Sequence, residues 1–152
     1  MTSALFAFLH HLAAFVVFAA LFMELVLIKG ELTFWSARKI LLYDLVYGVA
    51  AGVLVVAGLL RVFYFEKGAH YYFHSIPLIA KLALFTIVGL LSIYPARVFL
   101  AWRPGLKRGE LPALDDDRRH RIATIIHVEL TGIALVILCA VLMAKGFGHF
   151  GS

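Results

Sequence analysis

Cysteine is almost absent from this chain: Cys139 stands alone among 152 residues. That excludes a disulfide framework within one chain and leaves the redox compartment unread. Charge is scarce too, at 15% of residues, where soluble domains carry about a quarter. The chain has no phosphate-cradling Gly loop, no nucleophile elbow and no zinc-site spacing, so the common soluble enzyme classes find no footing. With three Met and one Cys it also lacks the soft clusters that copper prefers. Internal repeats and low-complexity tracts are missing. A basic stretch and a small-residue cleavage site are missing from the N-terminus, and its apolar run outlasts a signal peptide, so it is expected to be a mature helix.

What fills the space is apolar. Hydrophobic residues make up 63% of the chain and the mean hydropathy is +0.96. A soluble domain of this length buries only about two-thirds of its unfolded surface, so the excess calls for lipid. Four segments are long enough to cross roughly 30 Å of hydrocarbon, which takes about 20 helical residues. They are expected at about 4–28, 40–63, 77–100 and 121–144, with Pro77 suited to a first helical turn. The spans must be helices, because lipid offers the backbone no hydrogen bonds. The expected fold is all-α, an integral membrane four-helix bundle forming one transmembrane domain over residues 1–152. Pro104 and Pro112 mark the longest connection as a loop, and Asp115, Asp116 and Asp117 stand where acidic side chains favour a helix start.

The net charge of +5 could suit nucleic acid, but the bases lie in short loops, which reads as membrane orientation instead. Loops one and three with their flanks hold Lys29, Arg38, Lys39, Arg97, Arg103, Lys107, Arg108, Arg118, Arg119 and Arg121. The other face holds only Arg61, Lys67 and Lys145. Loops one and three are therefore expected to be cytoplasmic and both termini to share the opposite, periplasmic side of a bacterial inner membrane.

Ionisable groups at membrane depth are costly, and each raises a functional question. Threading the helices up and down sorts them into two layers. The outer layer holds His10, His11, Arg61, His74 and Lys81, with Tyr64, Glu66, Lys67, His70, Tyr71 and Tyr72 as a lid. The inner layer holds Glu24, Asp44, Arg97, His127 and Glu129. His10 and Glu24 share a helix face, whereas His10 and His11 point about 100° apart. His74 and Lys81 share a face if their helix extends back past Pro77. His127 reads as a hydrogen-bonded packing residue, and His120 and His149 as solvated. Arg61, Arg97 and Lys145 can snorkel to the interface. Gly48 and Gly52 form a small-xxx-small pair, read as close helix packing.

Imidazoles from different helices often grip haem b in a membrane bundle. The 13 Phe residues can help line an apolar slot for the porphyrin. The candidate axial ligands are His10 or His11, opposed by His74. Arg61, Lys67 and Lys81 are placed to pair with propionates or an anionic substrate. Tyr64, Glu66, Glu24 and Glu129 are candidates for a proton or polar relay.

The runs FLHHLAAF, DLVYGVAAGVLVVAGLLRVFYFEKGAHYY and KLALFTIVGLLSIYPARVFLAWR resemble an uncharacterised bacterial membrane-protein family, catalogued as a domain of unknown function. The resemblance covers nearly the whole chain, and GLLRVFYFEKG is its most specific part. Helix one, with FLH followed by AALF, also resembles the opening helix of the HemJ-type protoporphyrinogen oxidases, haem proteins of four or five helices. That resemblance implies a ligand role for His10 and aligns Lys81 with the Lys of a His-Lys pair opening the third helix. It aligns Glu129 with the Glu of an Asn-Glu pair. Ala80 and Ile79 stand where the paired His would be, and Val128 replaces the Asn, so His74 is the nearest substitute ligand.

Three functions follow as expectations. The first is a haem b redox protein exchanging electrons with quinone or a periplasmic partner, or a haem-dependent oxidoreductase acting on a porphyrinogen-like substrate. The second is a transporter or channel component for a metal ion or small solute, its path lined by the His-rich mouth and a Lys–Glu pair, and assembled as a homo-oligomer. The third is a structural accessory subunit of a membrane complex. Membrane lipid is a partner in all three.

Overall fold

The computed structural model describes residues 1–60, 63–64 and 76–147. Four helices follow one another: α1 (Thr2–Lys29), α2 (Phe34–Leu60), α3 (Ile76–Lys107) and α4 (Asp116–Ala144). All four are long and apolar enough to cross a membrane. No strand occurs among the described residues. The expected spans are recovered, but three helix ends lie further out than hydropathy places them.

Each extension has a local cause. Helix α2 begins at Phe34 rather than near residue 40 because Thr33 and Ser36 cap each other. The Ser36 amide donates to Thr33 Oγ1 at 3.1 Å and the Thr33 amide to Ser36 Oγ at 2.8 Å, a capping box with Ser in place of Glu. Helix α4 begins at Asp116 because Asp115 accepts from the Arg118 amide at 3.2 Å, and Asp116 and Asp117 complement the helix dipole. Helix α3 runs past Leu100 to Lys107, carrying Pro95 and Pro104 inside it. Pro104 was expected in the loop. It is tolerated in the last two turns, and the real stop is Gly109 at φ +77°. There the Gly109 amide donates to Leu106 and the Glu110 amide to Gly105, a Schellman motif that only a left-handed residue completes. Gly146, at φ +74°, closes α4 in the same way through Met143 and Leu142.

Successive helices run antiparallel, so both ends of the described chain lie at one end of the bundle. The pairs α1–α2 and α3–α4 pack most extensively, α1 meets α4, and α2 meets α3 more lightly. The backbones of the diagonal pairs α1–α3 and α2–α4 do not come close among the described residues. Helices with lipid on every side gain little from apolar burial against one another, so their association rests on packing and polar contacts. Two such fits are visible. Phe99, fully buried, tilts against Trp102 with ring centroids 5.2 Å apart. Gly132 lets α4 close on α3, since a Cβ there would lie 2.6 Å from Val88 Cγ2. Large apolar side chains such as Phe15, Val49 and Leu90 remain exposed around the outside, as a lipid-facing surface requires.

The expectation for Gly48 and Gly52 is corrected. Both are exposed, and a Cβ at either would meet nothing within 4 Å. The α2 face that packs carries Ala37, Ile40, Tyr47, Ala50, Leu54 and Ala57, and these two glycines lie off it. Close approaches use Gly58 and Gly132 instead.

Candidate functional site

The buried face of α1 is a stripe of Ala13, Val17, Ala20, Leu21, Glu24, Leu25 and Ile28. One carboxyl in that stripe is therefore carried into the seam by the same periodicity that buries its apolar neighbours. Glu24 is 1% exposed, and so is Glu129 in the equivalent stripe of α4. Across α1–α2, Glu24 lies within electrostatic reach of Asp44, and the Glu129 carboxyl faces the same pair. The Tyr47 phenol, three residues from Asp44 on α2, faces all three carboxyls and approaches the Ser92 hydroxyl of α3. Every helix thus contributes one or more polar side chains to this inner layer.

The α1–α2 register that sets Glu24 opposite Asp44 also sets His10 opposite Gly58. The His10 imidazole lies where a Gly58 side chain would be, because a Cβ there would come within 3.2 Å of its Cε1. The α2–α3 register that brings Tyr47 to Ser92 brings Gly58 level with Lys81, which is half-buried. His10 and Lys81 therefore occupy one level on neighbouring sides of α2. At about 1.5 Å per helical residue, that level stands about 21 Å from the Glu24 layer. Among the described residues, His10 and Lys81 thus stand at one level, and Glu24, Asp44 and Glu129 at the other. Lys81 and Glu129 are not a pair: they sit in different layers.

The other candidates separate. His11 is exposed, and its Nδ1 lies 2.6 Å from the Ala7 carbonyl, so its ring folds back along its own helix. Its plane is nearly perpendicular to that of His10. Tyr64 is exposed. Arg61, Glu66, Lys67, His70, Tyr71, Tyr72, His74 and His149 lie outside the described residues. His127 is exposed and takes part in a hydrogen bond, its Nε2 2.8 Å from Lys29 Nζ. His120 is exposed. No group of three His, Cys, Asp or Glu is drawn together as a metal site among the described residues.

The inner end of the bundle is also laced. Arg119 Nη1 donates to the Gly30 carbonyl at 2.8 Å, which ties the start of α4 to the end of α1. Outside the spans, Arg108 donates twice to Glu110, at 3.0 and 3.1 Å, and these bonds hold the Glu110 carboxyl below its ordinary range. A shallow groove between α3 and α4, lined by Leu84, Val88, Leu91, His127 and Gly132, contains none of the expected ligands.

Gly58, Tyr47 and Ser92 were not singled out as site residues from sequence. Tyr47 was detectable, since it lies three residues from Asp44 and so on the same helix face. Gly58 gave no such signal, because its importance comes from a side chain on another helix.

No curated protein and no solved structure matches the chain. A family described as "Predicted membrane protein (DUF2214)" matches residues 2–148, almost the full length. With four apolar spans and that match, the protein is a multi-pass membrane protein belonging to the DUF2214 family.

Proposed function

We propose that this protein is a haem b-binding redox protein of the membrane, with its cofactor in the outer layer. The observation that carries the reading is the seating of His10 against the bare backbone of Gly58, level with Lys81. An imidazole inside a helix seam, with a cation at the same depth on another helix, is the donor set that one axial position and one propionate require. Of the two neighbouring histidines, His10 is the ligand, because His11 turns outward and bonds within α1. In this reading His74, Arg61 and Lys67, which lie outside the described residues, would complete the site, His74 as a second imidazole and the two cations against the anionic groups of the cofactor.

Haem b supplies one-electron chemistry at a potential set by its ligands and surroundings. The residues of the chain position it, exclude water and neutralise its charged edge. When bound, haem would let the protein exchange electrons with a quinone or a second redox partner, or act on a porphyrinogen-like substrate, as the resemblance of helix one and Lys81 to the HemJ-type oxidases implies.

The test is a reduced-minus-oxidised spectrum of detergent-purified protein expressed with haem supplied. Soret and alpha bands are expected, and His10→Ala should remove them. A wild-type protein with neither band would end the proposal.

A further inference from the structure

The outer-layer reading leaves the inner carboxyls unexplained. Glu24 and Glu129 are each 1% exposed, and on each of them Oε1 accepts no hydrogen bond. They come from α1 and α4, so they are independent of one another along the chain, yet both face Asp44 of α2. Burying a carboxyl oxygen without a partner costs about 1–3 kcal/mol. Replacing such groups with apolar ones is often neutral or stabilising, so structure alone gives no reason for them.

The nearby cations are engaged elsewhere or point away. Lys29 is bound to His127 Nε2, and Arg119 to the Gly30 carbonyl. Arg97 is exposed, and Arg121 is exposed and lies over the Tyr94 ring. No ion pair reaches Glu24, Asp44 or Glu129 among the described residues. The groups facing the layer are Glu24 from α1, Asp44 and Tyr47 from α2, the Ser92 hydroxyl from α3 and Glu129 from α4. The carboxyls are not drawn into a three-ligand metal grip. A proton is the small cation that needs only one oxygen at a time.

We propose that Glu24, Asp44 and Glu129 form a proton-exchange site in the inner half of the bundle, with Tyr47 as its hydroxyl neighbour. Loading forms one O–H bond on a carboxylate oxygen and takes the proton from hydronium, leaving water. Release reverses the step, and no electron moves. The unpartnered Oε1 atoms of Glu24 and Glu129 are the sites where the proton arrives. This assignment takes up the relay role expected for those two residues, adds Asp44 and Tyr47 to it, and does not rest on haem.

The experiment uses the full chain in nanodiscs, with dicyclohexylcarbodiimide as probe, because this apolar reagent reacts with protonated carboxyls in a membrane interior. Peptide mass spectrometry should place the adduct on Glu24 or Glu129. Its yield should fall by about tenfold per pH unit on the alkaline side of the titration, equally in sodium, potassium and calcium chloride. Infrared spectra of the same sample should show a protonated-carboxyl carbonyl band that follows the same pH course and weakens in Glu24→Gln and in Glu129→Gln. The wild-type measurements stand even where a variant fails to fold. No adduct at either residue overturns the proposal. So does a yield that is flat with pH, or one set by sodium or calcium at fixed pH. Haem content does not enter any of these readouts.

Discussion

The outer and inner layers of this bundle are built from opposite chemistry. The outer one seats His10 of α1 against Gly58 of α2, with Lys81 of α3 at the same level. The inner one gathers three carboxyls and a phenol, Glu24, Asp44, Glu129 and Tyr47, contributed by three helices. The bases of the loops lie beyond the inner layer, yet none of the described ones forms an ion pair with it. About 21 Å of apolar helix separates the two. At that separation the groups of one layer cannot pair with those of the other. The two proposals assign the layers separate tasks, ligand binding to the outer one and proton exchange to the inner one.

Removing one layer should leave the other intact. His10→Ala should abolish the haem bands while leaving carbodiimide labelling of Glu24 or Glu129 intact. Glu24→Gln and Glu129→Gln together should do the reverse. Loss of both signals in both variants, with the fold intact, would mean a single coupled site.

Gly132→Ala strikes the α3–α4 seam and favours neither layer. Its Cβ would overlap Val88 Cγ2 at 2.6 Å, and a β-branched side chain has little room to yield. Destabilisation of about 1–3 kcal/mol is expected, with most of it recovered by adding Val88→Ala. Thermal unfolding in detergent reads the pair, and absence of recovery would show that the clash is not the cause.

Glu129→Met should move stability the other way. Exchanging a buried carboxyl whose Oε1 accepts no hydrogen bond for an apolar side chain of similar length should leave stability unchanged or raise it by about 1–2 kcal/mol. A large loss of stability would show that the inner layer holds the bundle together and would weaken its separation from structure.

The smallest effect concerns Glu110, which belongs to neither layer. Arg108 keeps its carboxyl below the ordinary range, first by hydrogen bonding and then by charge. A carboxyl lowered on folding adds stability above its unfolded-state pKa, and that contribution is lost as pH falls through the folded one. Because the pair is exposed, Glu110→Gln should leave the thermal midpoint at neutral pH nearly unchanged in moderate salt. A clear drop would assign the loop a structural role.

Much of this was legible in the residues. Hydropathy located four spans, and counting turns put Glu24 and His10 on one face of the first of them. Helix ends were less legible, for physical reasons. Hydropathy reports where lipid ends, whereas a helix stops where its backbone finds a cap. The Thr33–Ser36 box carries α2 beyond the apolar run, and Gly109, not Pro104, ends α3. Which glycine meets a neighbour was unreadable from one helix alone. Gly48 and Gly52 have the spacing of a packing motif and face open space, while Gly58 has no motif and receives His10. Facing is a property of pairs of helices, and a single chain pattern carries only half of it.

The bond from Arg119 to the Gly30 carbonyl also says something about time. It joins the end of the first helix to the beginning of the last, as the contact between Lys29 and His127 does about two turns further along α4. During synthesis α1 and α2 emerge as a hairpin already holding Glu24 and Asp44. Neither closing contact can form until α4 has been made. The third carboxyl, Glu129, arrives with that same helix, so the inner layer is completed by the event that locks the ring shut.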